Sequence, residues 1–306
     1  MPETVNVPLT NIVIPVFNRY DETLETIASV RRNTTRGILT VVNNGSGEPL
    51  GKELVRLADE KVIDNLFILD RNYGTSCACN VGWALVQAPF YMKLDNDYKI
   101  LDPQWLEKIY GMWGKHRHAT VIGPVWGWDE TLGRVKTPYG VMWTLPISFV
   151  GSAFLVSRKV SDALGFFSED YGLYGEEDAD YCLRCHHAGI RKYSFTAEPL
   201  MEIISSEERE VAYAMEKKAN HARSVGRGVR EGILALNFFL YEHKLRDLKV
   251  PLKYRVRAVK GRHVEIEGNP EYMPYWEKLM RCLDIYNASG REPSEADVAA
   301  MRRILA

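Results

Sequence analysis

The sequence predicts an α/β fold: a mostly parallel sheet flanked by helices, followed by a helical C-terminal extension. Three observations carry that prediction. Short apolar runs alternate with amphipathic stretches through residues 1–100, the pattern of βαβ units. Each run ends in polar residues, as expected where strand ends border a ligand crevice. After about residue 205 the strand signals thin out and helical periodicity takes over.

In chain order, Asn11–Phe17, Leu39–Val42, Leu66–Leu69 and Phe90–Leu94 read as buried strands. Between them, 21–33 is helical, with Asp21 a candidate N-cap and Leu24, Ile27 and Ala28 on one face. Leu50, Leu54, Leu57 and Ala58 make the same stripe in 50–59, and Ala78, Val81, Leu85 and Val86 in 76–87. Asp102-Pro103 opens a helix with Asp as cap and Pro first, its stripe being Leu106, Ile109, Tyr110 and Trp113. A strand follows near 120–122. The Gly-, Pro- and Trp-rich stretch 123–143 is a loop or hairpin, and Ser152–Val156 another strand. A helix over Glu176–His187 is stopped by Gly189. The chain divides into a catalytic unit, 1–204, and an extension, 205–306.

The 306 residues, 46% hydrophobic and 26% charged, exclude disordered, collagen-like and low-complexity classes. Lys+Arg 39 against Asp+Glu 40 leaves a net charge of -1, so no general nucleic-acid binding is expected. Five cysteines, an odd number, fit a reduced compartment better than a disulfide framework. The N-terminus lacks the basic region of a signal peptide, and the apolar run 233–240 is far shorter than the ~20 residues of a membrane span. The expectation is a soluble cytoplasmic protein. Any membrane contact would be peripheral, at the inner face, through the Lys/Arg-rich segment 244–262.

The polar strand ends should share one rim: Asn18 and Arg19, Asn43 and Asn44, Asp70 to Asn72, and Asp95-Asn96-Asp97. Single Asn and Asp residues at such places ordinarily make turns and caps. Asp95 and Asp97 differ in kind, because two carboxylates flank one residue directly after a buried strand. Their repulsion is costly unless a cation relieves it. Hard oxygen ligands favour Mg²⁺ or Mn²⁺, which commonly bind phosphates as well. The second acidic cluster, Gly175-Glu-Glu-Asp-Ala-Asp180, opens a helix, where the macrodipole favours negative charge. Asp178 shares a face with Cys182 and Cys185, so it points toward an apolar side. A partly desolvated carboxylate facing a pocket suits a general base.

Ile14-Pro-Val-Phe-Asn18, Val42-Asn-Asn-Gly-Ser46, Asn72-Tyr-Gly74 with Asn80-Val-Gly82, Leu94-Asp-Asn-Asp97, Gly151-Ser-Ala153 and Gly175–Arg184 occur in that order. Together, over roughly 11–195, they resemble glycosyltransferase family 2. The resemblance implies the GT-A fold, a nucleotide-sugar-binding α/β sandwich. It also implies a metal-dependent transfer from a nucleotide-diphosphate sugar, a UDP-sugar foremost, to an acceptor hydroxyl of a glycan, lipid-linked or other acceptor, with inversion. By the same resemblance Pro15, Phe17 and Asn18 lie along the nucleotide, Asn44 meets the base, and Asn72 and Gly74 cover the nucleoside. Asp95 stands near ribose and metal, and Asp97 binds Mn²⁺ or Mg²⁺ directly. Gly151, Ser152 and Ala153 wall the sugar and acceptor pocket. Glu177 and Asp178 form the acidic pair in which Asp is the base. Where relatives commonly place a metal- or phosphate-holding His, the stretch 198–205 has none.

Two other classes are weighed. A sugar-phosphate nucleotidyltransferase would need a Gly-rich loop with a basic residue after the first strand, which Pro15–Asn18 is not. A non-catalytic nucleotide-sugar-binding relative would be expected to lose the metal or base acids, and both are kept. Cys77, Cys79, Cys182 and Cys185 read as packed thiols before a zinc site. Trp126, Trp128, Tyr139 and Trp143 are either a sugar platform or a hairpin packed on the core. The run from Lys249 to Arg262 alternates basic and apolar residues, which reads as a solvated edge or face before a lipid dock.

Overall fold

A computed structural model describes residues 7–114, 120–123, 133–145, 151–195, 200–204 and 225–306, with residues 211, 214, 215 and 218. Trp126, Trp128 and residues 198, 199 and 205 of the stretch without His lie outside the described residues. Four parallel strands form the centre: β1 (Thr10–Val16), β2 (Gly37–Asn44), β3 (Asn65–Leu69) and β4 (Phe90–Leu94). Every residue of β1 is buried, which is why its run is apolar on both faces. Between these strands run α1 (Tyr20–Asn33), α2 (Leu50–Asp59) and α3 (Thr75–Leu85). Gly82 of α3 has no room for a side chain: a Cβ there would come within 2.6 Å of Val13.

Beyond β4 come β5 (Tyr98–Ile100), α4 (Trp105–Trp113), β6 (Thr120–Gly123), and a hairpin of β7 (Gly133–Thr137) and β8 (Gly140–Thr144). Then follow β9 (Ala153–Ser157), α5 (Arg158–Leu164), α6 (Glu177–His187), β10 (Lys192–Phe195) and β11 (Met201–Ile203). The C-terminal part holds α7 (Arg227–Glu242), β12 (Tyr254–Lys260), β13 (His263–Gly268), α8 (Tyr272–Ala288) and α9 (Glu295–Leu305). Among the described residues eleven strands make one sheet, ordered β12-β13-β3-β2-β1-β4-β9-β6-β10-β8-β7, and β11 pairs with β5 separately. The architecture is the expected α/β sheet with flanking helices.

Three local expectations are corrected. Asp21 does not cap α1: the capping position is Arg19, in left-handed backbone, and Asp21 falls in the first turn. Asp102-Pro103 precedes α4 as a turn, in which Asp102 accepts from the Gln104 N–H at 2.7 Å. The extension is not wholly helical. Its alternating basic segment folds as the β12–β13 hairpin, with β13 joining β3 and β12 at the sheet edge. Arg255, Lys260 and Arg262 are paired with Glu267, Glu265 and Asp59. No helix among the described residues is long and apolar enough to cross a membrane.

The extension is fastened to α6 by buried charge. Asp180 and Arg184, both fully buried, pair at 2.8 Å, and Asn237 of α7 donates to Asp180 at 3.2 Å. Arg246 pairs with buried Asp170 at 2.8 Å, and the Tyr272 and Tyr275 hydroxyls of α8 donate to the same carboxylate. Charges so buried are tolerated only when each is paired and hydrogen-bonded. The network therefore ties α7 and α8 to the helix that begins with Glu177 and Asp178.

Candidate active site

The carboxyl ends of β1, β2 and β4, the start of β9 and the N-terminus of α6 meet on one rim. Pro15 is buried in β1, facing Val42 of β2 in register, and Phe17 and Asn18 emerge half-buried beyond it. The Asn18 N–H donates to Ser46 Oγ at 2.9 Å, joining the ends of β1 and β2.

On the β2 side, the Asn44 amide donates to Asn72 Oδ1 at 3.0 Å and to the Gly74 carbonyl at 3.1 Å, and accepts from the Tyr73 N–H at 2.9 Å. Asn44 thus builds the 72–74 loop. Gly45 lies so close beneath that loop, at φ 83, that a Cβ would stand 2.3 Å from Arg71. Gly74, at φ 100, packs on Gly172, and Thr75 donates its N–H to the Leu173 carbonyl at 3.1 Å. The loop from the third strand therefore touches the segment leading into the acidic helix.

Past β4, the three residues of Asp95-Asn96-Asp97 face differently. Asn96 turns inward and donates to Thr23 Oγ1 of α1 at 2.7 Å. The Asp95 N–H donates to the Ser152 carbonyl at 3.0 Å, which seats Gly151–Ala153 beside the acids, with Ala153 opposite Leu94. Asp95 Oδ1 lies 2.9 Å from Lys93 Nζ, and Lys93 also stands 3.8 Å from Glu177 Oε1. Asp97 Oδ2 is engaged by Arg19 Nη1. The other oxygen, Asp97 Oδ1, is buried without a hydrogen-bond partner among the described residues.

Asp178 is buried at the start of α6. It accepts from the Gly151 N–H at 2.9 Å and from the Ala179 N–H at 2.8 Å. Burial first, and then the charge of Glu177, push its carboxyl up to about 7, against the pull of Lys93 and the two N–H donors. Such a group takes a proton easily near neutral pH. Burial and then Asp95 raise Asp97 to about 6, opposed by Arg19. Burial disfavours the charge of Lys93, yet Asp95, Glu177 and Asp178 outweigh it and hold the ammonium well above the ordinary lysine range.

Asp95, Lys93, Glu177, Asp178 and Gly151–Ser152 are thus one cluster, with Asp97 and Arg19 beside it; Asn44 at the end of β2 and Asn72 and Gly74 in the loop after β3 form a second group. Lys93 is the candidate site residue that sequence reasoning missed. Its signal was a lysine inside an otherwise apolar strand, two residues before Asp95. All five cysteines are buried and none forms a disulfide among the described residues. Among the described residues no three His, Cys, Asp or Glu side chains gather to hold a metal. A cation here would rest on the two aspartates, and the orphaned Asp97 Oδ1 fits that need.

The validoxylamine A glucosyltransferase of Streptomyces hygroscopicus subsp. jinggangensis is 24% identical over 233 residues, covering 61% of this chain and 53% of that protein. The chain thus spans about half the length of that relative. The mannosyltransferase PcManGT from Pyrobaculum calidifontis, solved with GDP-Man and Mn²⁺, superposes with a TM-score of 0.53 at 12% identity, covering 100% of this chain and 87% of that one. GalNAc-T7, solved with UDP, GalNAc and Mn²⁺, gives 0.52 at 14% identity, covering 62% and 43%. These are GT-A glycosyltransferases, and the likeness shows the shared fold. The profile described as glycosyl transferase family 2 matches residues 11–168, from the first strand to the loop before the acidic helix. With the fold, the rim of strand ends and this match in agreement, the chain belongs to glycosyltransferase family 2.

Proposed function

We propose that this transferase moves a sugar from a nucleotide-diphosphate donor, a UDP-sugar foremost, to an acceptor hydroxyl, with a divalent cation and with inversion. The observation that carries the reading is the placement of Asp178. It is buried, oriented by two backbone N–H groups and linked through Glu177 and Lys93 to Asp95. Acceptor-side and donor-side acids so coupled suit a single displacement with one base.

Asn72, Gly74 and the loop that Asn44 builds would receive the nucleoside, and Pro15, Phe17 and Asn18 would border it. Asp97 and Asp95 would hold Mn²⁺ or Mg²⁺. Such a cation stabilises the negative charge that develops on a leaving phosphate. Ser152 and Ala153 wall the space between the acids, where the sugar would lie. Asp178 takes the proton of the acceptor hydroxyl as the new bond forms, and its raised proton affinity suits that task. We assign the chemistry to residues 1–204 and treat 205–306 as an extension that buttresses α6. Five cysteines outside any disulfide fit a cytoplasmic setting.

The acceptor is a hydroxyl of a glycan, lipid-linked or other molecule. Pairing of Arg255, Lys260 and Arg262 with carboxylates leaves the edge strand a weak anionic-membrane dock. The test is a thermal-shift panel of UDP-, GDP-, CMP- and dTDP-sugars with Mn²⁺ or with EDTA, followed by product analysis. A ligand that binds only the folded state raises the melting temperature, so the donor stands out. Release of nucleoside diphosphate supports transfer, and release of pyrophosphate supports nucleotidyl transfer instead.

A further inference from the structure

The acidic pair on the rim is already provided with protein cations. Lys93 is buried within β4 and faces Asp95 from inside the sheet. Arg19, at the capping position of α1, reaches Asp97. There Asn18 and Arg19 both adopt left-handed backbone, φ 57 and 58, a conformation that non-glycine residues enter seldom and at a cost. The two cations are not equivalent. Lys93 has carboxylate neighbours on both sides and only 3% of its side chain is exposed. Arg19 is 8% exposed and its partner Asp97 21%, so that pair also borders the rim. One Asp97 oxygen is taken by Arg19 while the other is buried without a hydrogen-bond partner among the described residues. A carboxylate in that state is half satisfied, and a divalent cation bound to Oδ1 would lie close to the guanidinium.

We propose that Arg19 is a competitor for Asp97 in the donor-free enzyme. It neutralises that carboxylate until a divalent cation takes its place, and the displaced guanidinium then serves the diphosphate of the donor. Two like charges cannot share one carboxylate without repulsion. Entry of the metal therefore weakens the hold of Asp97 on Arg19. Arginine offers parallel N–H donors that match phosphate oxygens, and it stays charged at any pH the enzyme meets. Metal and diphosphate binding become coupled through one side chain, and such coupling is reciprocal. Metal alone binds weakly because it must displace an ion pair. Metal with diphosphate binds well because the released arginine gains a new partner. The residue is thus a positioning residue for the donor, and it sets how strongly metal occupancy depends on donor occupancy.

The proposal rests on the metal reading above, and its test separates the two. Mn²⁺ is titrated calorimetrically into wild type, Arg19→Gln and Arg19→Asn, first alone and then with uridine or guanosine diphosphate. Gln removes the charge at similar length, and Asn removes it with a side chain that tolerates left-handed backbone. Both variants are expected to bind Mn²⁺ alone about tenfold more tightly than wild type, and to bind nucleoside diphosphate in saturating Mn²⁺ about tenfold less tightly. Opposite shifts distinguish this role from structural damage, which would weaken both. Mn²⁺ affinity unchanged or reduced in both variants overturns the proposal and leaves the metal reading intact. So does unchanged diphosphate affinity in both. A wild type that binds no Mn²⁺, alone or with either diphosphate, overturns the metal reading and the proposal together.

Discussion

Lys93 Nζ stands 2.9 Å from Asp95 Oδ1 inside the sheet, and the same ammonium lies 3.8 Å from Glu177 Oε1. One buried cation therefore spans the two acidic clusters that the sequence places eighty residues apart. Without it, Asp95, Glu177 and Asp178 would face one another with no charge from β4 between them.

Replacing Lys93 by Met is expected to destabilise the fold by about 3 kcal/mol, because loss of one partner leaves buried charge uncompensated. Chemical denaturation with a linear extrapolation measures it. Lys93→Arg, which keeps the charge, should recover part of the loss. Equal stability of Lys93→Met and wild type would show that the ammonium is not the counter-charge described.

The pH dependence follows from Asp178. Its carboxyl is raised to about 7 in the folded enzyme, and a base must be ionised to act. kcat/KM should accordingly rise with pH through about 7 and level off above it. The stability sign is opposite. A carboxyl whose folded value exceeds its unfolded one stabilises the fold below the unfolded value, and that contribution is lost as pH rises through the folded value. Glu169, buried against Asn80 and Tyr254 and also raised to about 7, adds in the same direction. Together they should make stability fall between about pH 4 and pH 7, and Glu169→Gln should flatten that slope. Denaturation midpoints across the range read both effects.

Asp97→Ala is expected to abolish Mn²⁺-dependent donor binding while the fold survives, since Asp97 lies at the rim and outside the core. Calorimetry with and without EDTA decides it. Donor affinity that is the same in the variant and unchanged by EDTA removes Asp97 from the metal site.

The extension offers a separate test. Asp180→Ala leaves Arg184 buried without its carboxylate, and a loss of about 3–5 kcal/mol is expected. Arg246→Ala releases Asp170 from its cation at the junction with α8. Limited proteolysis should then cut the C-terminal helices sooner than in wild type. Undiminished protease resistance would mean that the apolar contacts of α7–α9 alone hold the extension.

Much of this arrangement was legible in the residues. β1, β2 and β4 announced themselves because largely buried strands are continuous apolar runs, half-buried β3 by its run Leu66–Leu69, and the polar residues after them marked the rim. The order of motifs carried the family. The β12–β13 hairpin was not read as strand because its alternation pairs basic with apolar residues, the signature of a half-exposed edge that a solvated face shares. α4 starts later than Asp102-Pro103 suggested, since Asp102 caps a turn just as readily as a helix. Lys93 was overlooked because a lone charge in an apolar strand declares its partners only when Asp95 and Glu177 are brought to it by the fold. The pairing of Arg19 with Asp97 likewise joins residues from different strand ends, which no local pattern records.

The role of Asp178 is tested most directly by Asp178→Asn, assayed for donor affinity and for transfer on one acceptor. The amide keeps shape and can still accept a backbone N–H, but it cannot take the acceptor proton. Donor binding should persist within a few-fold, and transfer should fall by roughly 10²–10⁴-fold, the usual worth of a positioned base. Glu177→Gln, assayed beside it, reports whether the neighbouring acid shares the task. Near-normal transfer in both variants would contradict the account, because it would remove the base from α6 and with it the single displacement built on that helix.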